Sequence, residues 1–211
     1  MSENMFRSPK KRGRIAVFLS GRGSNFMAIH EAILAGHINA DISLVFSNKR
    51  EARGLEIARE RKLDTCYLSA KDFTSREDYD GKIIDILDER RIDLVCLAGY
   101  MRILTPVFCE AFLNKVINIH PALLPSFPGL HVQQKAIDWG VKFSGATVHF
   151  VTPDVDMGPI IIQAVVPVLQ DDTEETLSER ILKEEHKIYP EAVRLYFEGR
   201  LEIRGRRVYI V

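Results

Sequence analysis

Arg14-Ile15-Ala16-Val17-Phe18-Leu19 is followed at once by Ser20-Gly21-Arg22-Gly23-Ser24-Asn25. The apolar run is of strand length and does not alternate, the pattern of a strand buried on both faces of a parallel sheet. An amphipathic helical stretch runs from Phe26 to about Ala35 and is closed by Gly36. A strand, a glycine-rich turn and a helix start together make an anion site, because backbone N–H groups point outward and the helix dipole favours negative charge. Gly21 and Gly23 would allow positive φ and close approach, and Ser24 and Asn25 add hydroxyl and amide donors. The same residues also fit a plain glycine turn with Ser24 as the N-cap. The pattern is GxGSN, neither the full GxGxxG nor a Walker A motif, so a dinucleotide or nucleoside triphosphate is weakly indicated.

Outward from this unit, strand and helix alternate. Residues 41–46 read as a strand with Ser47-Asn48-Lys49 at its carboxyl end, 51–61 as a helix, 65–68 as a short strand and 75–90 as a helix. Asp93-Leu94-Val95-Cys96-Leu97-Ala98 is a fourth, strongly apolar strand. Short connections between alternating elements predict an α/β fold in one domain: a doubly wound, mostly parallel Rossmann-like sheet with helices on both faces. Ligands of such sheets bind at the carboxyl ends of the strands. Gly99-Tyr100-Met101-Arg102-Ile103-Leu104 follows strand four and is apolar for a loop; Met101, Ile103 and Leu104 fit either core or a slot for a flat ring. Thr105-Pro106 then caps and starts a helix.

Chemistry concentrates in residues 115–156. In Val116-Ile117-Asn118-Ile119-His120-Pro121, read as a strand, Asn118 and His120 leave the same face. An amide able to donate to an oxyanion thus sits beside an imidazole able to move a proton. Pro121, Pro125 and Pro128 stiffen the loop that follows, which fits either a device for holding geometry or an ordinary turn. Residues 143–152 form a further strand-like run, with Thr147 and His149 on one face, leading into Pro153-Asp154-Val155-Asp156-Met157-Gly158-Pro159. Asn, His and Asp from two strand ends suit acyl transfer, and no Ser or Cys stands at a nucleophile elbow, so the substrate brings the nucleophile. Residues 159–168 read as a strand, 173–198 as a long amphipathic helix and 201–211 as a hairpin around Gly205. The helix carries Glu184-Glu185-His186, most simply a solvated face.

Bulk composition narrows the classes. Lys+Arg and Asp+Glu are both 29, so net charge indicates no polyanion and no nucleic-acid partner. The three cysteines, Cys66, Cys96 and Cys109, lack CxxC spacing, which disfavours a disulfide framework and fits reduced thiols in the cytoplasm. The six histidines show no HxH or HxxxH spacing, so no metal site is expected; His131 and His149 read as structural or supporting residues. No apolar run approaches the ~18–20 residues of a membrane span, so no membrane partner is expected. Residues 1–13 read as a disordered basic leader without the apolar segment of a secretory signal.

Taken together, LSGRGSN, FSNK, AGYMRIL, NIHPALLPSFPGLH and ATVHFVTPDVDMGPII, in this order, resemble the phosphoribosylglycinamide formyltransferase family of purine biosynthesis. The resemblance covers roughly residues 14–203, within a domain expected over 14–211. It implies transfer of the formyl group of 10-formyltetrahydrofolate, a co-substrate, to the amine of 5-phosphoribosylglycinamide, without a metal. It also implies small-molecule substrates, a cytoplasmic location and a monomer or homodimer. The family's catalytic residues fall on Asn118, His120 and Asp156. Its ribonucleotide site falls on Gly23, Ser24 and Asn25, with Glu185, which on resemblance leaves the solvated face. Its folate site falls on Arg76, Met101, Arg102, Ile103, Leu104 and Asn118. Where the family often has Gly-Gly before the proline of the aspartate loop, this chain has Met157-Gly158. Methionyl-tRNA formyltransferases and formyltetrahydrofolate deformylases share the core, but each carries a further domain for which 211 residues leave no room.

Overall fold

The apolar runs become the middle of one nine-stranded sheet in the computed structural model, which describes residues 12–211. Along the chain come β1 (Gly13–Leu19), α1 (Ser24–Leu34), β2 (Ala40–Ser47), α2 (Arg53–Glu60), β3 (Thr65–Tyr67), α3 (Arg76–Glu89) and β4 (Leu94–Leu97). There follow α4 (Pro106–Ala111), β5 (Val116–His120), α5 (Val132–Asp138), β6 (Phe143–Phe150), β7 (Ile160–Pro167), α6 (Glu174–Glu198), β8 (Leu201–Arg204) and β9 (Arg207–Ile210). Of the leader expected over residues 1–13, residues 1–11 lie outside the described residues. Gly13 opens β1, and Arg12 bonds Asp41 and the Ala40 carbonyl.

The sheet order is β3-β2-β1-β4-β5-β6-β7-β9-β8. β3, β2, β1, β4 and β5 are parallel neighbours, and the winding reverses between β1 and β4, the switch point where such sheets open a crevice. β6 and β7 continue the sheet antiparallel, and the final hairpin joins through the single pairing of Ile160 with Arg207. The fold is thus the mostly parallel α/β sheet expected, with an antiparallel wing.

Alternate residues of each buried strand feed two cores. Leu94, Cys96, Ile117 and Ile119 join the core under α1 and α6; Val95, Leu97 and Val116 join the one under α3 and α4. By this parity Asn118 and His120 leave on the α3–α4 side. α6 begins in a capping box of Thr173 and Thr176 and ends at Gly199 in the left-handed region. Its Tyr189 hydroxyl lies 3.0 Å from the Leu97 carbonyl and 3.1 Å from the Ile117 carbonyl, tying the helix to the two strands that carry the cleft. Among the described residues no helix is long and apolar enough to cross a membrane.

Candidate active site

β5 and β6 pair with Asn118 opposite His149 and His120 opposite Thr147, so four polar side chains share one patch of sheet. His149, only 1% exposed, has Nδ1 2.9 Å from the Phe150 carbonyl, which accepts its hydrogen. That bond fixes the tautomer, and Nε2 then accepts from Asn118 Nδ2 at 3.2 Å. The Asn118 amide is oriented by this bond, with its second hydrogen left for the cleft that Asn118 lines. Burial pushes the His149 imidazole below its ordinary 6.5, only partly opposed by the Phe150 bond and by Asp156. A neutral Nε2 and a carboxylate oxygen of Asp156, 3.7 Å apart, therefore do not form an ion pair near neutrality.

His120 is held on both sides. Nε2 lies 2.9 Å from the Phe127 carbonyl and Nδ1 lies 3.4 Å from Asp156 Oδ2. The same Oδ2 accepts the Gly129 N–H at 2.8 Å. Asp156 takes a left-handed backbone, φ 56°, a conformation Asp tolerates better than most residues. Met157 and Gly158 follow, and the Met157 carbonyl accepts from Arg206 in the final hairpin. A Cβ at Gly158 would stand 1.7 Å from the Phe150 carbonyl oxygen, so the loop can reach the strand end only with glycine there.

The proline loop holds geometry. Thr147 Oγ1 donates to the Ala122 carbonyl at 2.7 Å and accepts the Leu124 N–H at 3.0 Å. Gln163 on β7 donates to the Leu124 carbonyl and to Thr147 Oγ1. The loop ends at His131, also left-handed, which precedes the short α5. His131 is exposed, whereas His149 supports the site.

Arg102, Asn118, His120 and Asp156 line a cleft of ≈ 550 Å³ together with Met101 and the loops on either side. The apolar loop after β4 splits between its two expected roles. Leu104 is core, while Met101 and Ile103, 63% and 56% exposed, form the rim. Arg76 does not line the cleft; its guanidinium donates to the Ile103 carbonyl at 2.9 Å.

Gly23, Ser24, Asn25 and Glu185 sit apart from that cleft, where β1 runs into α1, two strands from β5. Two expectations change here. Ser24 is not the N-cap: Gly23 is, at φ 80°, with no side-chain cap, and Gly21 does not take positive φ. A Cβ at Gly23 would lie 2.8 Å from Gly54 Cα, so close approach of α2 also demands glycine. Nor does the charge run on α6 lie wholly on a solvated face. Glu185 is 6% exposed and accepts from Asn25 Nδ2 at 2.6 Å. Burial pushes its carboxyl above 4.5, with the Asn25 bond opposing. Asn25 Oδ1 is buried without a partner among the described residues, leaving an acceptor beside the carboxylate. Ser20 joins the two regions, donating to Asn48 Oδ1 and accepting the Met101 N–H.

The patch can donate hydrogen bonds to a developing oxyanion and move a proton through His120 and Asp156. The supporting roles of Thr147, Gln163, Tyr189 and the Phe127 carbonyl carry no sequence motif. Only the shared face of Thr147 and His149 hinted at them.

Comparison with known proteins agrees with this geometry. The sequence profile described as formyl transferase matches residues 13–193. The chain is 46% identical over 192 residues to the trifunctional purine biosynthetic protein adenosine-3 of Drosophila melanogaster, covering 90% of this chain but only 14% of that protein. It is 42% identical over 196 residues to the phosphoribosylglycinamide formyltransferase of Escherichia coli, covering 93% and 92% of the two chains. The crystal structure of glycinamide ribonucleotide transformylase 1 from Symbiobacterium toebii superposes with a TM-score of 0.94 at 49% identity, covering 96% of this chain and 95% of that one. With most of its length inside the family profile and its sheet matching that of a solved transformylase, the chain belongs to the formyl transferase family.

Proposed function

We propose that the chain transfers the formyl group of 10-formyltetrahydrofolate to the amine of 5-phosphoribosylglycinamide, giving N-formylglycinamide ribonucleotide and tetrahydrofolate in de novo purine (IMP) biosynthesis. The observation that carries the reading is the convergence of Asn118, His120 and Asp156 on one cleft of ≈ 550 Å³, with an anion-suited helix start two strands away on the same sheet. Apolar walls with a few convergent polar groups fit a flat pterin. The domain assigned to this work is 14–211, and the cytoplasm is its proposed location.

In this mechanism the ribonucleotide phosphate meets the N–H groups at Gly23, Ser24 and Asn25, while Glu185 accepts from hydroxyls of the acceptor. The amine attacks the formyl carbon and a tetrahedral oxyanion forms. The free Asn118 hydrogen donates to it. The oxyanion is a stronger acceptor than the Phe127 carbonyl that now holds His120 Nε2, so a protonated His120 turns that hydrogen to it. Asp156 sets an opposite charge beside the imidazole and helps carry the amine proton, which His120 delivers to the departing folate nitrogen.

The test follows formyl loss from 10-formyltetrahydrofolate with and without the ribonucleotide. Consumption only with the ribonucleotide supports transfer. Consumption in both mixtures means hydrolysis to formate, and consumption in neither overturns the reading. Asn118→Ala and His120→Ala should each lower turnover about 10²–10³-fold with the fold intact.

A further inference from the structure

The loop from Gly99 to Thr105 lines the cleft without regular secondary structure, yet it exposes Met101 and Ile103 at the rim. Apolar side chains held in water need an external frame, since the loop's own sequence has no reason to keep them there. α3 supplies one. Arg76 donates to the Ile103 carbonyl at 2.9 Å. Asp80 Oδ2 accepts the Thr105 N–H at 2.7 Å. Arg102 lies over the fully buried Tyr79 ring at 4.7 Å, and the Tyr79 hydroxyl is 3.4 Å from that of Tyr100. Residues 76, 79 and 80 are spaced i, i+3, i+4, so they form one face of the helix, and each grips a different part of the loop.

We infer that this face of α3 is a clamp that sets the shape of the formyl-folate wall, with Asp80 as its chief positioning residue. The inference rests on the reading of the cleft as a formyl-folate site. Asp80 is 3% exposed and, among the described residues, has no ion-pair partner. Burying a carboxylate without a cation costs stability that an apolar residue would spare. What the carboxylate provides is a short, charge-assisted bond to the one N–H at the point where the loop turns into α4. Thr105 itself caps α4, its Oγ1 accepting the Phe108 N–H, so the Asp80 bond fixes both the loop's end and the helix start. Without it the loop keeps its holds at Ser20, Arg76 and Tyr79 but loses the one that fixes the Thr105 N–H, and the cleft wall it forms loses its shape.

The experiment compares Asp80→Ala, Asp80→Asn and Tyr79→Phe with the unaltered protein, varying each substrate at saturating levels of the other. Circular dichroism and thermal unfolding report on the fold. Asp80→Ala should raise the KM for 10-formyltetrahydrofolate about 10- to 100-fold while the KM for the ribonucleotide stays within about twofold. Asp80→Asn keeps an acceptor for Thr105 and should recover most of that loss. Tyr79→Phe keeps the ring under Arg102 and removes the hydroxyl, which donates to the Leu68 carbonyl at 3.2 Å and links to Tyr100, raising the folate KM about two- to fivefold. If Asp80→Ala does not fold, Tyr79→Phe decides. Folded variants whose folate KM is unchanged, or in which both KM values rise together, overturn the clamp while leaving the transfer reading intact. An unaltered protein that consumes no formyl folate overturns both.

Discussion

His149→Phe isolates what the imidazole does for Asn118. The substitution keeps an aromatic ring in a site that is 1% exposed and removes both nitrogens. The bond lost to Asn118 is 3.2 Å long and neutral on both sides, worth about 0.5–1.5 kcal/mol. Asn118 is then free to rotate, and an amide that turns Oδ1 toward the oxyanion repels it, adding about 1 kcal/mol. The sum, about 1.5–2.5 kcal/mol, predicts a fall in turnover of roughly 10- to 70-fold, at or below the cost of deleting the Asn118 donor. The assay is a double-mutant cycle with Asn118→Ala, read by formyl transfer at saturating substrates. If His149 acts through Asn118, its replacement costs less than about twofold once Asn118 is gone. Additive losses in the double variant, or near-normal turnover in His149→Phe alone, would refute the reasoning. The lost donor to the Phe150 carbonyl lowers stability equally in both backgrounds, so the cycle cancels it.

Other perturbations have signs that follow from the same contacts. Glu185→Gln keeps an acceptor for Asn25 and removes a desolvated carboxylate, so the unfolding midpoint should rise while the ribonucleotide KM increases about tenfold; a lower midpoint would count against buried charge as a cost. Thr147→Val strands the Ala122 carbonyl and the Leu124 N–H in the interior, and should cost about 3 kcal/mol by urea unfolding together with a measurable fall in turnover. Burial lowers His30, His149 and His186 below 6.5, so the unfolded chain binds more protons in that window and stability should fall as pH drops below 6.5. Glu185 has the opposite sign: its contribution is present at low pH and is lost as pH rises above 4.5 through its raised value. Urea midpoints measured from pH 7.5 to 5.5 should therefore decline, and His149→Phe should flatten the decline.

Continuous apolar strands and a regular helix stripe made most of the fold legible, because burial on both faces leaves an unbroken run whatever the neighbours are. The shared face of Asn118 and His120 was legible for a related reason, strand parity, whereas only the folded loop brings Asp156 within 3.4 Å of His120. Glu185 carries a signal of its own, independent of the resemblance. Leu177, Ile181, Ile188, Ala192 and Leu195 form the buried stripe of α6, and Glu185 occupies the place in it between Ile181 and Ile188. A carboxylate at a core position of a helical stripe is more informative than the charged neighbours that disguised it. Positive φ and close approach at Gly23 were legible in the glycine turn, but that Gly54, thirty-one residues away, is the neighbour that comes close was not. Met101 and Ile103 could not be told from core by composition, since a hydrophobic cleft rim and a hydrophobic interior use the same residues. Arg206 reaching Met157 is a contact that only the closed sheet creates.

The span of the Asn25–Glu185 bond, 160 residues, has a consequence for how the molecule comes into being. A ribosome delivers β1 and the glycine turn early, and the strands bearing Asn118 and His149 well before α6. Closing so long a loop is slow and is rewarded only when α6 lies down across the sheet. Glu185 therefore meets Asn25 only at the last stage of assembly, and Tyr189, one turn further along, seals the same helix onto β4 and β5. If Glu185 meets the acceptor as proposed, its place is complete only once α6 has docked, and because Tyr189 on the same helix holds β4 and β5, cleft and acceptor site mature together in one late event.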